Sequence, residues 1–106
     1  MQKKDTYIFP AIFDYADDGI SISFPDLPGC FPCAFSNVEA LHNAREAMGL
    51  HLFSMEEDGD FIPEPSNILN IEHSDNQAVV LVDVFMPRVR DAINNKAVTK
   101  SVTVPQ

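Results

Sequence analysis

Two groups of residues have the types and spacing to do chemistry. One is Cys30-Phe31-Pro32-Cys33, a C-x-x-C pair; the other is Glu56, Glu57, Asp58, Asp60 and Glu64, five carboxylates in nine residues with no base among them. A redox C-x-x-C owes its low thiol pKa to a place at a helix N-terminus. Here the helix signal opens only at Ser36, three residues after Cys33, and Ala34-Phe35 reads as strand. The two thiols therefore read as structural, with a thiol oxidoreductase as the competing chemistry. Zinc needs about four ligands in tetrahedral geometry, and the candidates are Cys30, Cys33, His42, His51 and His73. His42 and His51, nine apart on one helix, point to opposite sides of it, so no metal site and no cofactor is expected. Asp14, Asp17, Asp18 and Asp26 could be cast as a nuclease cluster. Two-metal catalysis needs carboxylates that converge, whereas Asp17 and Asp18 are explained by a turn and Asp26 by a proline-flanked loop. With no nucleophile elbow, phosphate-cradling glycine loop or H-E-x-x-H, the chain reads as a non-enzyme.

The carboxylate run crowds the C-terminal end of a helix, where the macrodipole disfavours each anion by about 0.3 to 1 kcal/mol. Helix stability does not account for it; a solvated, salt-screened end or an acidic surface for a cationic partner does. Charge along the chain favours the second reading. The net charge is -9, but residues 1–86 hold fifteen of the 16 acids and three of the 7 bases, while residues 87–106 hold Asp91 against Arg88, Arg90, Lys96 and Lys100. An acidic body of net -12 repels nucleic acid and draws a basic partner, and the tail of net +3 has the opposite preference.

At 106 residues with 45% hydrophobic content, the chain is long enough for one core and too short for two ordinary domains. No apolar run approaches the roughly 20 residues that span a bilayer. The start Met-Gln-Lys-Lys-Asp-Thr leads into nothing suited to secretion. Two cysteines fit a reducing compartment, so a cytoplasmic place is expected.

The elements that must position these residues follow from local pattern. Tyr7 to Asp14 is rich in aromatic and β-branched types, Asp17-Asp18-Gly19 supplies a turn, and Ile20 to Phe24 alternates apolar with polar, which predicts a β-hairpin. Pro10 must sit at an edge or turn its nitrogen to solvent. Residues 31–35 can form a third short strand. Ser36-Asn37-Val38-Glu39 is a capping box in which Ser36 accepts from the Glu39 amide and Glu39 reaches back to the Ser36 amide. It starts a helix over Asn37 to Asp58, with Val38, Leu41, Met48, Leu52 and Met55 on one stripe, Ala44 filling the gap, and Gly59 as C-cap. Pro63 and Pro65 force an extended exit, and the nearly continuous apolar run Ala78 to Phe85 predicts a buried strand. The fold class is α+β, a β-β-β-α-β sheet with one long helix on one face. Beyond Met86-Pro87, Arg88 to Asn94 could form a short helix, and residues 97–104 alternate as a further strand.

Phe-Pro-Asp-Leu-Pro-Gly-Cys at 24–30, the helix opening at Ser36, Glu-Glu-Asp-Gly-Asp at 56–60 and Ile-Pro-Glu-Pro-Ser at 62–66 together resemble the HicB-type antitoxins, over roughly residues 7–86. The resemblance implies a reduced RNase H-like fold that binds and silences a small basic RNA-cleaving HicA-type toxin. Residues 1–86 would be the toxin-binding domain, with Asp17, Asp18, Asp26, Leu27, Glu57, Asp58 and Asp60 as its candidate contacts. Many relatives continue into a ribbon-helix-helix, in which paired strands of a dimer read operator DNA. Residues 87–106 would then be a linker and ribbon strand, with Thr99, Ser101 and Thr103 facing DNA, in a chain that reads as truncated before the covering helices. Operator binding would need the complete C-terminal domain. A homo-oligomer is expected, and a toxin-less oligomeric scaffold is a further alternative.

Overall fold

Strand β1, Thr6–Ala16, turns through Asp17-Asp18 into β2, Gly19–Ser23. This is the hairpin that the turn chemistry predicts, with Ala16 opposite Gly19. The computed structural model describes the backbone of residues 4–103 and the side chains through Asn94. After β2 come the two-residue strand β3, Cys33–Ala34, the helix α1, Asn37–Asp58, a single 3-10 turn at Ile68–Asn70, strand β4, Gln77–Phe85, and the helix α2, Met86–Thr103. The four strands form one antiparallel sheet in the order β3-β2-β1-β4, and α1 covers one face.

Pro10 shows why a proline fits the central strand. Tyr15 N–H donates to Asn76 C=O and Met86 N–H to Asp5 C=O, so the odd residues of β1 bond to β4 and the even ones face β2. β2 ends at Ser23, opposite Ile12. Pro10 lies beyond that end, where no ladder bond is lost.

Helix α1 has the predicted bounds and caps. Ser36 Oγ accepts from the Glu39 N–H at 3.2 Å, and Gly59 closes the far end at φ 74°. Glu39 reaches back one residue further than expected, accepting from Phe35 N–H at 2.9 Å. Ser36→Ala should cost about 0.5 to 2 kcal/mol in urea unfolding; an unchanged midpoint would show that the Glu39 contact alone holds the helix start.

The buried stripe differs from the predicted one. Ala40, Ala44, Met48, Gly49 and Leu52 face the sheet, whereas Val38 and Leu41 do not. The reason is close approach. A Cβ on Gly49 would stand 3.2 Å from Val84 Cγ2 and 3.0 Å from Val89 Cγ2, so the seam takes small residues and the larger Val38 and Leu41 rotate outward.

Two further expectations need correction. β4 is an edge strand in which only Val82 and Val84 are buried, because a four-stranded antiparallel sheet with a helix on one side covers one face of its outer strand. The ribbon strand expected over 97–104 is helix through Thr103. Within one chain a strand there has no ladder partner, while extending a helix already formed from Met86 adds a hydrogen bond per residue. Thr99, Ser101 and Thr103 thus do not form an alternating strand face, and their side chains lie outside the described residues.

The start of α2 is tied down by charge. Arg90 Nε and Nη2 donate to Glu56 Oε1 and Oε2 at 3.1 and 2.8 Å, and Nη2 also donates to Lys4 C=O at 2.8 Å. The Glu56 side chain is only 3% exposed. The hydrogen bonds that Arg90 donates to Glu56 raise its pKa above the ordinary value, and burial, then the Glu56 charge, raises that of Tyr7. One member of the carboxylate run and one base of the tail are therefore an internal clamp, a pairing that counting charges along the chain does not reveal.

Candidate protein-binding site

The hairpin tip, β3 and the first turn of α1 meet at one end of the molecule. Gly19, at φ 139°, lets the hairpin close where a Cβ would stand 3.0 Å from Ala34 C=O. Tyr15 Oη donates to Asn37 Oδ1 at 2.7 Å, fastening the hairpin to the helix start. The outward edge of β3 is held from α1: Asn43 Nδ2 donates to Cys33 C=O at 2.8 Å, and Phe35 N–H is taken by Glu39.

This rigid frame projects apolar side chains into solvent. Phe31 is 70% exposed, and Phe35 and Val38 are each 81% exposed. Between Phe35 and the hairpin lies a cleft of about 400 Å³ lined by Tyr15, Asp17, Asp18, Ile20 and Asn37. A second, of about 230 Å³, is lined by Asp14, Ser21, Phe31, Pro32 and Gln77. Exposed aromatics on ordered backbone, rimmed by polar groups, mark an interaction surface, and aromatics seated beside pockets supply most of the binding energy in protein interfaces.

The sequence-predicted contacts fall into two separate groups. Asp17 and Asp18 stand at this tip. Glu57, Asp58 and Asp60 lie exposed at the other end of α1, roughly 30 Å away for a helix of this length. Asp26 belongs to neither as a free carboxylate, since it accepts from Ser66 N–H at 2.8 Å and Ser66 Oγ at 2.5 Å, tying the 24–32 loop to the exit from α1. Leu27 is fully buried; its flanking prolines turn the loop so that it fills the core, which removes its side chain from any surface contact.

Sequence reasoning missed Phe31, Phe35 and Val38. A signal was present at Phe35. A hydrophobic residue just before an N-cap ordinarily staples onto the fourth helical residue, but here that residue is Ala40, buried and too small to receive the ring.

The cysteines do not form a reactive pair. Cys30 is buried, and burial pushes its thiol up to about 11, while Cys33 is exposed; a nucleophilic thiol needs the opposite shift. His42 pairs with Glu46 at 3.9 Å on the helix surface. Among the described residues no three His, Cys, Asp or Glu side chains come together as a metal site, and no helix is long and apolar enough to cross a membrane.

Comparison with known proteins agrees with this architecture. An "uncharacterized 14.9 kDa protein in rep-hol intergenic region" of Haemophilus phage HP1 (strain HP1c1) is 32% identical over 101 residues, covering 92% of this chain and 73% of the relative. A toxin-antitoxin complex from Streptococcus pneumoniae contains a chain that superposes with a TM-score of 0.72 at 21% identity, covering 78% of this chain and 71% of that one. A HicA3 and HicB3 toxin-antitoxin complex gives a TM-score of 0.62 at 21% identity, covering 74% and 98%. At that identity the two structures speak for the fold. The family model of the HicB-like antitoxin of bacterial toxin-antitoxin systems matches residues 9–106, nearly the whole chain, and this protein therefore belongs to that family.

Proposed function

We propose that this protein is a non-enzymatic cytoplasmic antitoxin that neutralises a small basic RNA-cleaving toxin of the HicA type. It does so by covering the toxin with the surface formed by the hairpin tip and the start of α1. The observation that carries the reading is the cleft that exposed Phe35 shares with Asp17 and Asp18 beside the start of α1, with exposed Phe31 on the neighbouring cleft of the same sheet edge. The aromatics supply contact energy and the acidic rim steers a cationic partner. Glu57, Asp58 and Asp60 at the far end add to the long-range field rather than to the contact. The toxin-antitoxin complexes among the structural neighbours support a protein partner. Operator binding, which would need a complete C-terminal domain, adds nothing to the toxin contact proposed here.

Co-expression with the cognate toxin tests it. The 106-residue chain should form a stable complex and relieve growth arrest. Phe35→Ala should weaken the complex by about 2 kcal/mol or more, as an anchor residue does. Asp17→Lys with Asp18→Lys should slow association at low salt more than it speeds dissociation. Failure to form any complex would overturn the antitoxin reading. A complex indifferent to Phe35→Ala and Phe31→Ala would move the contact away from this end, and sensitivity to charge reversal at Glu57 and Asp58 would then assign it to the other.

A further inference from the structure

Four carboxylates around the sheet are engaged within the molecule: Asp14 by Asn76 and Gln77, Asp26 by Ser66, Glu56 by Arg90 and Asp83 by Arg45. Asp17 and Asp18 are not. Neither carboxylate of the hairpin turn has a hydrogen bond or ion pair among the described residues. Both line the cleft of about 400 Å³ beside Tyr15 and Phe35, and no basic residue lines it with them. A Cβ on Gly19 would touch the Phe35 ring, at 3.5 Å from Cδ1 and 3.6 Å from Cε1, so the ring stands directly against the turn next to Asp18. Phe35 nevertheless stays 81% exposed. Tyr15 Oη donates its proton to Asn37 Oδ1 at 2.7 Å, which leaves it only lone pairs to offer the cleft.

We infer that this cleft seats an arginine side chain of the toxin, its guanidinium stacked on the Phe35 ring and donating to the carboxylates of Asp17 and Asp18. The inference rests on the antitoxin reading and names the group that the partner places in the cleft. The chemistry of the walls selects it. An aromatic face attracts a cation, while two free carboxylates and a phenolic oxygen without its proton to give call for donors. A guanidinium answers both at once, because its flat face stacks while its N–H groups donate in the plane. A lysine ammonium is a compact, strongly hydrated charge that cannot stack. An apolar anchor would cover the carboxylates without giving them a partner, which opposes binding. The positive end of the α1 dipole disfavours a cation here, but Glu39 in the first turn offsets it. Both walls are fixed before any partner arrives, by the Tyr15 bond to Asn37 and the Phe35 N–H bond to Glu39, so little ordering opposes binding.

Titration calorimetry with the cognate toxin tests the assignment, each toxin arginine being changed in turn to lysine. The 106-residue chain is used as wild type, as Phe35→Leu, and as the double variant Asp17→Asn with Asp18→Asn. Phe35→Leu keeps an apolar side chain and removes the aromatic face; the asparagines keep the shape of the turn and remove its charge. All three positions are exposed, so the variants should fold with unchanged circular dichroism. One toxin arginine should emerge whose replacement weakens the complex with the wild-type chain by about tenfold or more. The same replacement should cost much less against either variant, the coupling that a shared contact produces. A complex that Phe35→Ala weakens, but in which no arginine is coupled to Asp17 and Asp18, would overturn the inference and leave the antitoxin reading standing. Coupling to a toxin lysine in place of an arginine would overturn it equally. Absence of any complex with the wild-type chain would remove the antitoxin reading and this inference with it.

Discussion

Arg90→Ala should lower the unfolding free energy by about 3 kcal/mol, the low end of the cost of leaving a nearly buried carboxylate without its ion-pair partner. The Glu56 carboxylate left behind has a side chain only 3% exposed and receives both its charged hydrogen bonds from Arg90. The same guanidinium holds Lys4 C=O and stands 3.8 Å from Asp5, so the N-terminal segment, the end of α1 and the start of α2 loosen together. Arg90→Lys should rescue little of this, since an ammonium cannot reproduce the two-pronged contact. Combining Arg90→Ala with Glu56→Ala should cost less than the sum of the single changes, because the stranded charge goes with its partner. Urea unfolding of the four proteins measures this, and strict additivity would show that the two side chains do not act as a pair.

Leu52→Ala should cost about 2 to 5 kcal/mol, the range for deleting a fully buried leucine. Leu52 has no exposed surface, lies one helical turn beyond Met48, and faces the sheet. Leu41→Ala, at a residue 39% exposed, should cost about 1 kcal/mol or less. The pair of variants fixes the face of α1. Equal losses in thermal or urea unfolding would mean that Leu41 is packed as the sequence pattern suggests, and a neutral Leu52→Ala would place the helix on another face.

The difference between those two leucines shows what was legible before the fold was seen. Turn residues, caps and runs of β-branched side chains are local signals, and they located the hairpin, both ends of α1 and the last strand correctly. Which residues of α1 touch the sheet depends on how closely the helix approaches, and that is a tertiary quantity. A pattern read by hydrophobic size finds Ala44, Met48 and Leu52 but adds Val38 and Leu41, where the seam takes Ala40 and Gly49. The same holds for charge. Glu56 and Arg90 are 34 residues apart, and nothing local distinguishes this paired carboxylate from its neighbours in the acidic run. The edge position of β4 was likewise out of reach, because strand order is a property of the sheet. At the candidate site the acids of the turn were visible as types, while the exposure of Phe31 and Phe35 followed only once the sheet and helix were in place. The tail shows the reverse error: alternation over 97–104 fits a strand, but a strand needs a partner and a helix does not.

Amide hydrogen exchange of the chain, alone and in complex with its cognate toxin, tests the central claim most directly. Complex formation should slow exchange over the hairpin tip at 16–20 and over 31–41, and leave 56–66 at the rate of the free chain. Protection confined to 56–66, with the hairpin tip and the start of α1 unchanged, would contradict the account.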